Sequence, residues 1–233
     1  MHLMKLLGIA CVSLAAVAVP VKAADLPPRT PSVTGPVSAP ALFSWTGFYI
    51  GAHGGGAWGT SAWSDPFSAL ADSVSSTGFL AGGQAGFNYQ MGNVVFGIEG
   101  DASWTNLNGS STDVAGDVHN TQVDWTSTIA GRLGWALDRW LVYGKGGVAF
   151  AHDNSTLTDP FGNTATGVTT RVGWIAGAGT EYALGQNWSA RVEYNFLGFP
   201  AQNVALTGPV LGTGTANIDL TVQQVKAGLN FHF

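Results

Sequence analysis

Charge is scarce in this chain. Asp, Glu, Lys and Arg together make up 10% of its 233 residues, against about 25% in an average soluble domain, which leaves too little solubilising surface for an ordinary globule. Basic residues are the scarcer sign, 9 Lys and Arg against 14 Asp and Glu. No basic patch forms, and nucleic acid is excluded as a partner. Cysteine is nearly absent. The single thiol, Cys11, falls in an apolar stretch near the start, and Gly8 three residues before it does not make a lipoprotein cleavage box. Long apolar runs are missing as well: nothing after residue 24 approaches the roughly 18 consecutive apolar residues of a membrane helix.

The first residues carry a targeting pattern. Lys5 precedes the apolar run from Leu6 to Val19, and Val21-Lys22-Ala23 supplies suitable cleavage positions, so a signal peptide over 1–23 is expected. Its removal would take the only cysteine, leaving no disulfide, thiol nucleophile or thiolate metal ligand. Residues 24–44, which include LPPRTPSVTGPVSAPA, read as a disordered Pro-rich periplasmic leader, either a plain spacer or a tail that binds a partner. Residues 45–233 then form the remaining domain.

What is plentiful is glycine and tryptophan, 33 and 9 residues, and a two-residue alternation. It is clearest in WTSTIAGRLGWALDRWLVYGKGGVAF at 125–150. Trp125, Ile129, Leu133 and Trp135 share one parity, and Thr126, Thr128, Ala130 and Arg132 the other. After the ALDR turn, Trp140, Val142, Val148 and Phe150 alternate with Leu141, Tyr143, Lys145 and Ala149. Two runs of about ten residues with tryptophans at their ends have the length and the interfacial aromatics of a transmembrane β-hairpin. Similar runs are expected at 45–59, 78–90, 94–105, 171–182, 188–197 and at the C-terminus. Between them, long polar loops at 60–77, 106–123, 153–170 and 198–219 alternate with short turns. That asymmetry and an even strand count predict an all-β fold: an eight-stranded antiparallel transmembrane up-and-down β-barrel with both termini periplasmic.

The charges choose the inner face. Glu99, Asp101, Arg132, Lys145, Glu181, Arg191, Glu193 and Lys226 all fall on the parity opposite the Trp, Phe, Ile and Val positions. An Arg or Lys facing lipid near the bilayer centre would cost about 2–4 kcal/mol. Turned inward, acids and bases can neutralise one another. Lumenal glycines at 55, 86, 134, 147, 173, 177, 179 and 228 are expected to open space that the charges partly block, leaving at most a narrow wet passage.

The strand segments WTGFYIG (45–51), GGQAGFNYQ (82–90), VFGIEGDASW (95–104), GRLGWALDRWLVYGKGGVAF (131–150), GAGTEYALGQNWSARVEYNF (177–196) and VKAGLNFHF (225–233) resemble the porin-like small outer-membrane β-barrel family of alpha-proteobacteria. They are also similar to the membrane domain of outer membrane protein A. The resemblance implies an internal charge cluster containing Glu99, Arg132, Lys145, Glu181 and Arg191. It implies recognition of the terminal Phe233 by the barrel-assembly machinery, although an aromatic there also fits ordinary strand packing. The peptidoglycan-binding domain of that protein has no counterpart, so direct wall anchoring is not implied.

Catalytic patterns are weak. His152-Asp153, His119 with Asp113 and Asp117, and the loop serines are the polar groups near the outer rim, and no nucleophile, base and orienter converge. GAHGGGAWG lacks the Lys-Ser/Thr ending of a phosphate loop. His53 and His232 are lumenal by parity and are expected in the interior hydrogen-bond network. No enzyme activity, no cofactor and no resident metal are expected. The four loops contain Asp65, Asp72, Asp113, Asp117, Asp153, Asp159 and Asp219 but no Lys or Arg. They read either as solvated loops or as cation sites, at Asp113 and Asp117 above all, shared with lipopolysaccharide phosphates. The expected partners are outer-membrane lipid and lipopolysaccharide, the barrel-assembly machinery, and a host or environmental ligand of unknown kind. The leading functional expectation is a structural outer-membrane protein that supports envelope integrity, with a narrow pore for small solutes as an accessory role. The competing one is a surface adhesin acting through its loops.

Overall fold

Strands that are apolar on alternate positions, and that cannot leave an unpaired edge in lipid, are satisfied together only when the sheet closes on itself. The computed structural model describes residues 43–64, 71–112 and 116–233. It contains eight strands, β1 (Gly47–Ser64), β2 (Ala71–Met91), β3 (Val94–Thr112), β4 (Val118–Leu137), β5 (Trp140–Thr158), β6 (Thr164–Ala183), β7 (Trp188–Gly208) and β8 (Gly212–His232). Each pairs antiparallel with the next, and β1 pairs with β8 to close the barrel. The expected signal peptide, the leader up to residue 42, and Asp113 lie outside the described residues.

At the periplasmic end the connections are tight and need left-handed backbone, which Gly92 (φ 62) and Asp138 (φ 51) supply. Trp45, expected to open the first strand, instead precedes it and packs into the barrel mouth. It is fully buried, with ring contacts to Phe43 at 4.7 Å and His232 at 5.8 Å, and its backbone N–H donates to Gln90 Oε1 at 2.9 Å.

The outward surface carries two aromatic belts. The lower holds Phe48–Phe87, Trp140–Tyr182 and Trp188–Phe231 in contact pairs. The upper holds Trp104, Trp125 stacked on His152, and Trp174 stacked on Phe196. On β4, the interval from Trp125 to Trp135, at about 3.4 Å per residue on a strand tilted by about 40°, spans about 25 Å, the height of a lipid-facing apolar band.

The strands do not stop at the upper belt. Most of each segment expected to be loop (60–77, 106–123, 153–170, 198–219) is strand, with short tips at 159–163 and 209–211. Above the belt the pattern inverts. Outward positions become Ser75, Asn108, Asn120, Gln122, Asn154, Thr166, Asn203 and Asn217, while Val74, Leu157, Val204, Leu206 and Ile218 form an apolar cluster inside. A second cluster below it contains Leu107, Val123, Leu197, Phe199 and Leu220. The reason is the surrounding solvent: strands that rise out of lipid into water bury apolar groups and expose polar ones, as any soluble barrel does. Register shifts fall at this height, between Val123 and Trp125 on β4 and between Phe199 and Gln202 on β7. Each extra residue moves the inward parity by one, from even to odd positions above Asp124 on β4 and from odd to even above Pro200 on β7. A period-two reading carried through either bulge loses phase, and throughout these segments the outward Ser, Thr and Asn read as loop residues.

One expected loop carboxylate changes role. Asp153 is buried, and Arg171 Nε donates to its Oδ1 at 2.8 Å. At the β5–β6 tip, the half-buried Asp159 accepts hydrogen bonds from the Asn163 side chain and from the N–H groups of Asn163 and Phe161, which hold its carboxyl below the usual carboxylate range. Among the described residues, no three His, Cys, Asp or Glu side chains gather as a metal site. Replacing Leu206 by Ala should cost about 2–5 kcal/mol through the cavity left in the upper cluster. The neighbouring outward Thr207→Ala should stay within about 0.5 kcal/mol, both read by urea unfolding of the barrel folded in micelles.

Candidate functional site: a neutralised charge cluster in the lumen

The inward positions at membrane height bring the expected charges together. Glu99 on β3 is the hub. Lys145 Nζ on β5 donates to its Oε1 at 3.1 Å, and Arg191 Nη1 on β7 and Arg132 Nη1 on β4 donate to its Oε2 at 2.6 and 3.2 Å. The Tyr49 hydroxyl on β1 donates to the same oxygen at 2.7 Å. Arg132 extends the network to Glu181 Oε2 on β6 at 3.0 Å, and Lys145 reaches Glu193 Oε1 at 2.7 Å. Lys226 on β8 donates to Asp101 Oδ2 at 2.6 Å. Four acids thus meet four bases, all with side chains at most 2% exposed.

Neutral groups complete the cluster. Ser189 Oγ and Asn230 Nδ2 donate to Glu181 Oε1 at 2.5 and 2.6 Å, and His232 Nε2 lies 3.4 Å from the same oxygen. His53 bridges Gln84 Oε1 (2.5 Å from Nδ1) and Ser103 Oγ (2.8 Å from Nε2). Because the amide oxygen of Gln84 only accepts, Nδ1 carries the proton, and Ser103 donates to Nε2. The Arg132 guanidinium lies 3.9 Å from the centre of the Tyr143 ring, a stacked cation–π contact.

The lumenal glycines correct one expectation. Gly86 and Gly179 do not open a passage, because a Cβ at either would collide with the phenol of Tyr49 or Tyr143. Each tyrosine lies directly opposite its glycine in cross-strand register and occupies the space. Tyr143 then donates to Glu193 Oε2 at 2.8 Å, as Tyr49 does to Glu99. The two halves of the chain repeat here: one sequence interval separates Tyr49 from Tyr143, Glu99 from Glu193, Asp101 from Asn195 and Arg132 from Lys226.

Such a barrel, with lipid outside and paired charges inside, has clear relatives. Residues 9–233 match the family described as outer membrane protein beta-barrel domain. The chain belongs to that family. It is an outer-membrane β-barrel of a Gram-negative bacterium. It is 34% identical over 91% of its length to the 31 kDa outer-membrane immunogenic protein of Brucella melitensis, covering 92% of that protein. It is 28% identical to the 22 kDa outer membrane protein of Rhizobium leguminosarum, over 82% of this chain and 79% of that one. Among solved structures, the outer membrane protease OmpT of Escherichia coli superposes with a TM-score of 0.51 at 11% identity, covering 82% of this chain and 98% of that one. This likeness concerns the fold alone.

The remaining expected residues lie elsewhere. Phe233 is exposed on the outer face beside Phe231, its N–H donating to Phe48 O at 3.0 Å. Asp117 is half-buried near the upper rim, away from the cluster. His152 and Asp153 point to opposite faces, His152 outward against Trp125 and Asp153 inward onto Arg171. Parity placed Tyr49 and Tyr143 inward, but nothing in the alternation signalled their hydroxyls as network members. Their spacing from Glu99 and Glu193, the same in both halves, was the available sign.

Replacing Glu99 by Gln leaves three buried cations without their shared carboxylate. The expected loss is about 3–5 kcal/mol, measured by urea unfolding in micelles. Adding Lys145→Met to that variant should recover part of it, because one of the orphaned charges is removed.

Proposed function

We propose that this protein is a structural wall element of the outer membrane that supports envelope integrity and does not conduct solutes freely. The observation that carries this reading is the filling of the lumen at every height. Trp45 with Val95, Ala136 and Leu141 packs the periplasmic mouth, the charge cluster fills the middle, and two apolar clusters with the Asp153–Arg171 pair occupy the extracellular half. An eight-stranded barrel is just wide enough for side chains to fill. Among the described residues, apolar clusters lie on both sides of the charges.

A non-catalytic role is consistent with the same geometry. His152 and Asp153 are split between two faces, and the buried Ser103–His53 pair lies in the packed interior. We further read Phe233 as the assembly signal recognised by the barrel-assembly machinery, and the lipid of the outer membrane as the constant partner of the outward face. Purified protein in planar bilayers should show no stepwise conductance. Removing the mouth residue by Trp45→Ala should not create it, because the charge cluster and upper clusters remain. Steady wild-type channels would overturn the reading.

A second reading, surface interaction, has its own observation. The β5–β6 and β7–β8 tips present Phe161 and Val210 at 90% and 71% exposure, each following a proline. The Asp159 hydrogen bonds hold the first tip in one shape. The relatives named immunogenic are consistent with tips that reach the cell surface. Exchanging 159–163 and 209–211 for Gly-Ser segments should leave envelope integrity unchanged under the structural reading. If binding of cells to host or environmental surfaces falls while integrity persists, the adhesin reading takes precedence.

A further inference from the structure

Inside the barrel, a run of hydrogen bonds through β1, β2 and β8 points one way throughout. Glu181 fixes the direction, because an ionised carboxylate only accepts. Asn230 Nδ2 therefore donates to Glu181 Oε1 at 2.6 Å, which turns Asn230 Oδ1 toward Gln84 Nε2 at 2.7 Å. The Gln84 oxygen is then left for His53 Nδ1 at 2.5 Å, and the Ser103 hydroxyl for His53 Nε2 at 2.8 Å. Ser103 Oγ in turn lies 3.5 Å from Lys226 Nζ. A single directed chain thus runs from a cation on β8 to an anion on β6, by way of β3, β1, β2 and β8 again. Each bond in such a chain polarises the next, and every member is at most 6% exposed. The tautomer of His53 is thereby set by a carboxylate three hydrogen bonds away.

One link of this chain is a histidine, the side chain that can exchange an acceptor for a donor near physiological pH. Protonated, His53 donates from both ring nitrogens. Its Nε2–H would meet the Ser103 oxygen that Lys226 already approaches, and the Ser103 proton would lose its acceptor. The charged groups facing His53 are Asp101 on β3, Lys226 on β8 and Arg191 on β7, while its β2 neighbour Gln84 is neutral. Asp101 Oδ2 lies 3.8 Å from Nε2, but it holds Lys226 at 2.6 Å. Among the described residues of the cluster, four acids already meet four bases, so a fifth cation has no acid of its own. His232 differs in this respect. It stands at the acid end of the chain, 3.4 Å from Glu181 Oε1, where a positive charge meets an anion. A second proton on His53 instead reverses the chain at Ser103 and sets His53 against Lys226 for one carboxylate.

We propose that His53 is an acid-sensitive lock of the lumen: neutral, it completes the directed chain that ties β3, β1, β2, β8 and β6 together, and on taking a second proton it breaks that chain and loosens the wall. The lock is independent of whether the lumen conducts. Protein carrying isotope-labelled histidine, folded in micelles and studied by NMR at neutral pH, should show His53 protonated at Nδ1 alone, its ring assigned through contacts with Gln84 and Ser103. Urea unfolding is then followed as pH falls below about 6.5, where the histidines of an unfolded chain take up protons. The unfolding constant of the wild type should rise by up to about tenfold per pH unit more than that of His53→Gln, the signature of one proton bound only on unfolding. Gln84→Glu gives the Nδ1–H of a protonated His53 a carboxylate and should remove this excess. His152→Gln, on the outer face, should retain it. A proton on Nε2 of His53 in the neutral protein overturns the direction of the chain. Equal pH slopes for wild type and His53→Gln, or an excess that persists in Gln84→Glu, overturn the lock.

Discussion

One carboxylate holds three cations inside this barrel, and the rest of the wall is arranged so that it can. Charges taken out of water are costly unless their attraction and hydrogen bonds compensate. Glu99 is approached from its neighbour β4, from β5 and β7, and by a tyrosine from β1, so its contacts join β3 to three strands with which it shares no backbone ladder. The interior cannot slide in register without leaving a buried charge unpaired. A lipid-facing exterior, where Ile, Val and Leu are interchangeable, imposes little such constraint. In this fold the polar interior specifies the register, and the apolar exterior supplies compatibility with the bilayer.

The second organising constraint is the medium around each strand. The same eight strands cross lipid below the upper tryptophan belt and stand in water above it, and inside and outside exchange character at that height. Below, Ile98 and Ile129 face out while Glu99 and Arg132 face in. Above, Asn108 and Gln122 face out while Leu107 and Val123 face in. The protein behaves as a membrane barrel continued by a soluble one, with bulges on β4 and β7 at the junction.

The membrane half was readable from residues because its rule is uniform. Lipid demands apolar groups on every outward position, so the parity of Trp125, Ile129 and Leu133 gives the face of Arg132 without ambiguity. The soluble half was not. Its outward Ser, Thr and Asn resemble loop residues, and the extra Asp124 and the Pro200–Ala201 step break the phase by which Val123 or Leu206 would be recognised as inward. The charge cluster was half legible. Membership of the eight charged residues follows from parity, but which oxygen each cation takes, and the part played by Tyr49, Tyr143 and Ser189, depends on strand tilt and stagger that a one-dimensional pattern does not contain. The lumenal glycines misled for a related reason: an absent side chain signals room, and only the neighbouring strand shows that a tyrosine has already taken it.

The repeat between the two halves carries a hazard for assembly. A chain made of two similar four-stranded units could close either unit on a like unit, because many cross-strand contacts would look alike. The places where the repeat is imperfect remove that degeneracy. Asp101 answers to Asn195 and Arg132 to Lys226. Only one pairing of the halves therefore balances the interior charge and gives each tyrosine its carboxylate. The departures from symmetry act as a key, so that a sequence that is nearly a palindrome of function still has a single way to shut.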